Sequence, residues 1–189
     1  MKKALVLVHI SSLDSYTAQA KENDFRYDAK GFELADNFSY DITNALQHDE
    51  SVFIIDQAWE VGHRESRPRE SLLEDLDGLP ITWILFADND DPDMIDSDML
   101  KRFPYQRIAQ DGNWKAFLPN LTRLLRKRGI THVRVGGIWF TEDLTEGCAT
   151  GVYKQLRKHF KTEVGSVGTE EDFVTEELAQ ATNRDRPNQ

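Results

Sequence analysis

Short apolar runs rich in β-branched residues recur along the chain, and between them the apolar positions fall three and four residues apart. The first pattern belongs to strands buried on both faces, the second to helices with one face against a core. Lys3 to Ile10, with the unbroken run Ala4-Leu5-Val6-Leu7-Val8, predicts a first strand. Ser51 to Asp56, carrying Val52-Phe53-Ile54-Ile55, predicts a second, and Ile81 to Ala87 a third. Tyr105 to Ala109 reads as a short fourth strand, His132 to Ile138 as a fifth and Glu163 to Val167 as the last. Helical spacing runs over Gly31 to Gln47 through Phe32, Leu34, Ala35, Phe38, Ile42, Ala45 and Leu46. It returns over Trp114 to Arg128 as the stripe Phe117, Leu118, Leu121, Leu124 and Leu125, with Gly129 as the stop. Pro92 to Arg102, Cys148 to Phe160 and Glu170 to Thr182 complete the predicted helices. Ser11 to Lys30 reads as a polar loop, and Trp59 to Asp77 as a polar stretch outside the sheet.

Strands alternating with helices require right-handed crossovers, and these lay down a parallel sheet with both faces covered. The expected fold class is therefore α/β: three layers, a mostly parallel sheet with helices on both faces, Rossmann-like. One domain over residues 1–182 is expected, followed by a polar tail over 183–189. In such sheets ligands bind beyond the carboxyl ends of the strands. That rule selects residues 9–16, 56–70, 88–93 and 139–150 as the places to look for chemistry.

Composition narrows the classes. The 189 residues suffice for one self-supporting core, and 39% of them are hydrophobic. The net charge of −10 argues against nucleic acid or an anionic membrane as the main partner. No apolar run approaches the length of a membrane span, and the opening apolar run, interrupted at His9, reads as a strand and not as a secretory leader. The single cysteine excludes an internal disulfide and points to a reducing, cytoplasmic setting. It also excludes a zinc site built on paired cysteines.

Two basic clusters stand out in this acidic chain. Arg123, Arg126, Lys127 and Arg128 close a predicted helix, where cations suit the negative end of the dipole and read as capping ahead of a binding patch. Arg64, Arg67 and Arg69 could clamp a phosphate or carboxylate, but the interleaved Glu65 and Glu70 read as a self-neutralised, solvated segment. The acidic run Asp88-Asn89-Asp90-Asp91-Pro92-Asp93 could hold Mg²⁺, yet an Asp before a Pro is the grammar of a helix start. No Gly-x-Gly-x-x-Gly, phosphate-loop or Gly-x-Ser-x-Gly pattern is present, so no cofactor and no metal is expected.

The candidate nucleophile is Cys148. It opens a predicted helix after the strand ending at Ile138 and the loop Trp139-Phe140-Thr141-Glu142-Asp143-Leu144-Thr145-Glu146-Gly147. A helix N-terminus offers free amide protons and a partial positive charge, which favour thiolate and could hold an oxyanion. The alternative is a cysteine that serves as a small buried apolar side chain. His9, at the end of the first strand, could act as base to Cys148 with a carboxylate from Asp14 or Asp56, or could be satisfied by backbone groups.

Trp114-Lys115-Ala116-Phe117, the helix to Arg128, Gly129, the strand Val133 to Gly137, Cys148 and the strand to Val167 resemble the C-terminal half of the isochorismatase-like cysteine hydrolases. Ala4-Leu5-Val6-Leu7-Val8-His9 is similar to that family's first strand. The resemblance implies a hydrolase of a small amide-like substrate with Cys148 as nucleophile, and a homo-oligomer. Where the family has an Asp base this chain has His9, and where it has a catalytic Lys this chain has Asp111. Asp14 and Lys115 lie near enough in sequence to substitute. Catalytic residues are then expected among Cys148, His9, Asp14 and Lys115, with Trp114, Trp139, Phe140 and Thr141 contacting the ligand. The other reading is an inactive protein of the same fold that binds a small ligand or a protein partner.

Overall fold

The computed structural model describes residues 1–10, 13, 25–57, 67–86, 102–109, 114–138 and 147–168. Among them six strands form one sheet: β1 (Lys2–Val8), β2 (Ser51–Gln57), β3 (Ile81–Phe86), β4 (Gln106–Arg107), β5 (Ile130–Ile138) and β6 (Lys161–Gly168). Four helices accompany them: α1 (Phe25–Gln47), α2 (Arg67–Leu76), α3 (Trp114–Lys127) and α4 (Cys148–Leu156). The spatial order is β4-β3-β2-β1-β5-β6, and every pairing is parallel.

The alternation of side chains along each strand divides the apolar residues between two cores. Leu5 and Leu7 of β1, with Val52 and Ile54 of β2 and Trp83 of β3, meet Leu34, Phe38 and Ile42 of α1 and Leu72 and Leu76 of α2. Ala4, Val6 and Val8, with Phe53, Ile55 and Ile84, meet Phe117, Leu121 and Leu125 of α3 and Val152 and Leu156 of α4 on the other face. Each fully buried Leu, Ile or Phe contributes about 1.5–3 kcal/mol relative to exposure. The three-layer α/β expectation therefore holds, and the sheet is parallel throughout its described strands.

Three elements differ from the pattern reading. α1 begins at Phe25, six positions ahead of Gly31, inside what reads as a polar loop. α2 occupies the second half of the stretch read as polar; its apolar side is only Leu72, Leu73 and Leu76, helped by buried Pro68 and Arg69. β4 shrinks to two residues. The predicted helices over 92–102 and 170–182 lie outside the described residues, save Arg102.

Chain order fixes where a site belongs. From β1 the chain steps outward through β2, β3 and β4, with α1 and α2 on one face, then returns to the far side of β1 for β5 and β6, with α3 and α4 on the other. The connections leaving β1 and β5 therefore diverge to opposite faces, and a crevice opens between the carboxyl ends of these neighbours. Gly137 lets them approach: it has φ 118, and a Cβ there would collide with the Val8 backbone. Among the described residues no helix is long and apolar enough to cross a membrane.

Candidate functional site

β1 is fully apolar from Ala4 to Val8 and then delivers a histidine to the crevice. His9 is 1% exposed. Its backbone is left-handed, with φ 56, and its N–H donates to the Ile55 carbonyl at 2.7 Å, as though β1 were one residue longer. A non-glycine residue in this conformation carries a strain of order 1 kcal/mol or more, held in place by its surroundings. The imidazole lies 6.3 Å, centroid to centroid, from the indole of Trp114.

Trp114 is the first residue of α3, and it stacks on Phe86, the last residue of β3, at 4.3 Å and 23°. Phe117, one turn on, meets both rings edge to face, at 5.3 Å from Trp114 and 5.0 Å from Phe86. Offset and edge-on packing of this kind adds about 0.5–1.5 kcal/mol per pair to the burial itself. The result is an aromatic wall at the carboxyl ends of β1 and β3, on the face that α3 and α4 cover.

On the opposite face the same rim carries charge. Asp56, the β2 residue after Ile55, is 0% exposed. Arg69, in the first turn of α2, is 4% exposed. This overturns the reading of residues 62–70 as a solvated segment for its last part. An arginine in a first turn opposes the helix dipole, and burial of either charge is costly unless it is compensated. The remaining buried polar residues of the described chain are Asp41, Thr122 and Thr150. Three of the four buried groups that titrate or carry charge thus gather at one end of the sheet.

Cys148 opens α4 after Gly147, which has φ 96 and supplies no side-chain cap. The N-cap residue itself therefore takes up none of the first-turn amide protons, and Thr150 in that turn is buried. Cys148 itself is half-buried and packs against the apolar cluster beneath α3 and α4, the cluster that Trp114 also joins. Lys115 is exposed on α3. Asp14, Asp111, Trp139, Phe140, Thr141 and the acidic run 88–93 lie outside the described residues. Among the described residues no group of three or more His, Cys, Asp or Glu side chains could hold a metal ion.

Of the sequence candidates, then, His9, Trp114 and Cys148 share the carboxyl rim. Arg69 and Phe86 were not read as site residues. The available signal for Arg69 was the set of three arginines in the segment after β2, set aside for its interleaved glutamates; Phe86 looks like any other strand residue. Set against protein-family models, curated proteins and solved structures, the chain matches none.

Proposed function

We propose that the chain is a hydrolase of small amide-like substrates in the manner of the isochorismatase-like enzymes, with Cys148 as nucleophile at the crevice between β1 and β5. The observation that carries this reading is that three buried polar groups, His9, Asp56 and Arg69, gather at the carboxyl ends of β1 and β2, the end of the sheet at which Cys148 opens α4. Ionisable groups that a fold buries at cost concentrate where chemistry or binding needs them. The strained backbone at His9 belongs to the same argument.

In this reaction Cys148 Sγ attacks the substrate carbonyl carbon and its proton passes to His9. The carbonyl oxygen gains the electron pair and accepts hydrogen bonds from the first amides of α4. Collapse of the adduct expels the amine, which leaves with the proton from His9. Water then cleaves the thioester, giving the acid and restoring the thiol. Arg69 would pair with an anionic group of the substrate, Trp114 would flank it, and Lys115 and Asp14 would balance charge.

Iodoacetamide labelling of the native protein tests the reading. A nucleophilic Cys148 alkylates at pH 7 faster than the same thiol in the unfolded chain, and Cys148→Ser abolishes turnover. Labelling only after unfolding would rule the hydrolase out. A second reading, a non-catalytic small-ligand module, draws support from the packing of Cys148 against the apolar cluster. It expects slow labelling together with saturable ligand quenching of tryptophan fluorescence.

A further inference from the structure

At the opposite, amino edge of the sheet lies a groove of about 390 Å³, lined by Arg126, Arg157, Lys158, His159 and Lys161 over Phe160. The fold assembles it from three segments. α3 and α4 both run antiparallel to the strands on the same face, so both end at this edge. Arg126 sits in the last turn of α3, Arg157, Lys158 and His159 form the turn after α4, and Lys161 starts β6.

Helix C-termini attract cations, and that accounts for a basic residue at each end. It does not account for two arginines, two lysines and a histidine lining one groove with no carboxylate among its lining residues, in a chain with ten more Asp and Glu than Lys and Arg. Some described cations elsewhere pair with acids, as Lys30 does with Glu33, Arg102 with Asp77, and Arg134 with both Asp41 and Glu50, while Arg123 and Arg128 donate to Asn120 and Thr82. In the groove, Arg126 Nη2 lies 3.2 Å from His159 Nδ1. A guanidinium has only protons to give, so Nδ1 accepts and the ring proton stays on Nε2. That contact orients both groups without neutralising the charge. Arg157 sits 5.9 Å over the Tyr153 ring, and Lys158 Nζ donates to Gln155 Oε1 at 3.4 Å. Lys161 reaches Glu163 at 3.7 Å, but that pair is well exposed and only weakly held.

We propose that this groove is a binding site for a small polyanion carrying two or more phosphate groups. Two guanidiniums supply forked donors for phosphate oxygens, the lysines add mobile positive charge, and the volume suits a small molecule. The site lies at the far edge of the sheet from Cys148 and stands independently of the hydrolase reading.

Calorimetric titration of the full chain with inorganic tripolyphosphate tests it. One saturable site is expected, weakening steeply with added salt. Arg126→Glu with Arg157→Glu weakens it about tenfold or more, since each removes charge-assisted hydrogen bonds. Arg126→Gln with Arg157→Gln, which adds no charge, moves it the same way. Lys30→Glu with Arg107→Glu, an equal charge change away from the groove, alters it less than twofold. Absence of saturable binding overturns the proposal, and so does unchanged affinity in either groove variant. Tight binding of a single-stranded oligonucleotide with none of tripolyphosphate likewise overturns it.

Discussion

Arg134 of β5 reaches across to Asp41 of α1, its Nη1 2.9 Å from Asp41 Oδ1, and so ties the helix to the sheet where the interior would otherwise be apolar. The other Asp41 oxygen accepts the Ser166 N–H of β6 at 2.8 Å. Glu50, just past α1, accepts from Arg134 at 3.3 Å. Four segments thus share one guanidinium and two carboxylates. Replacing Arg134 with Met leaves the buried Asp41 and the partly buried Glu50 without their cation. The expected loss is about 2–3 kcal/mol, below the cost for a fully buried pair because these side chains keep some solvent. Denaturant unfolding reads it. Asp41→Asn together with Arg134→Met should recover part of that loss.

The same pair gives the chain an acid-sensitive contribution. Burial alone would raise the Asp41 carboxyl, but hydrogen bonds from Ser166 and Arg134 outweigh it and hold the group below its ordinary value of 3.8. For a carboxyl depressed in the folded state, stability is fully present above the unfolded value. It is lost as pH falls through the folded one. Asp41→Asn should therefore destabilise the protein at pH 7 and show a flatter stability curve below about pH 4 than the parent. Parallel acid limbs in the two proteins would mean that Asp41 titrates as it does when unfolded.

Two glycines make opposite predictions. At Gly137 the backbone is left-handed and an added methyl runs into Val8, so Gly137→Ala should cost about 3 kcal/mol or more, or prevent folding. Gly151, within α4, has open space where a Cβ would go and no left-handed backbone. Gly151→Ala should stabilise by about 0.5–1 kcal/mol through helix propensity. Thermal melts of the two variants separate a glycine that geometry requires from one that it does not.

The strands were legible because a parallel sheet covered on both faces must spend unbroken apolar runs on its central strands, as β1, β2 and β3 do. α2 was not, since three apolar positions in ten residues leave little periodicity, and its buried side is completed by Pro68 and the Arg69 stem. α1 hid its start for a related reason: Asn23-Asp24 ahead of Phe25 has the composition of a helix cap, but no apolar stripe begins until Gly31. α3 was legible in full even though Pro119 interrupts it, because its stripe runs on either side of that proline. The site divides the same way. Chain order could place His9, Asp56 and Cys148 at strand and helix ends. His9 meets the indole of Trp114, which arrives from more than a hundred residues away, and local pattern cannot report that.

Trp114 is where fold and site can be tested together. Its indole joins the Phe86 and Phe117 rings, so Trp114→Ala should cost about 3 kcal/mol or more, while Trp114→Phe, keeping a ring against Phe86, should cost less than about 1.5 kcal/mol. The indole also stands beside His9, which is almost wholly buried, whereas His48 and His159 are exposed. Diethyl pyrocarbonate, mapped by peptide mass, should modify His48 and His159 quickly and His9 slowly in the parent protein. Trp114→Ala should raise the His9 rate severalfold and leave the other two unchanged. Equal rates at all three histidines of the parent would remove the buried imidazole from the rim. With it would go the base on which thiol chemistry at Cys148 depends.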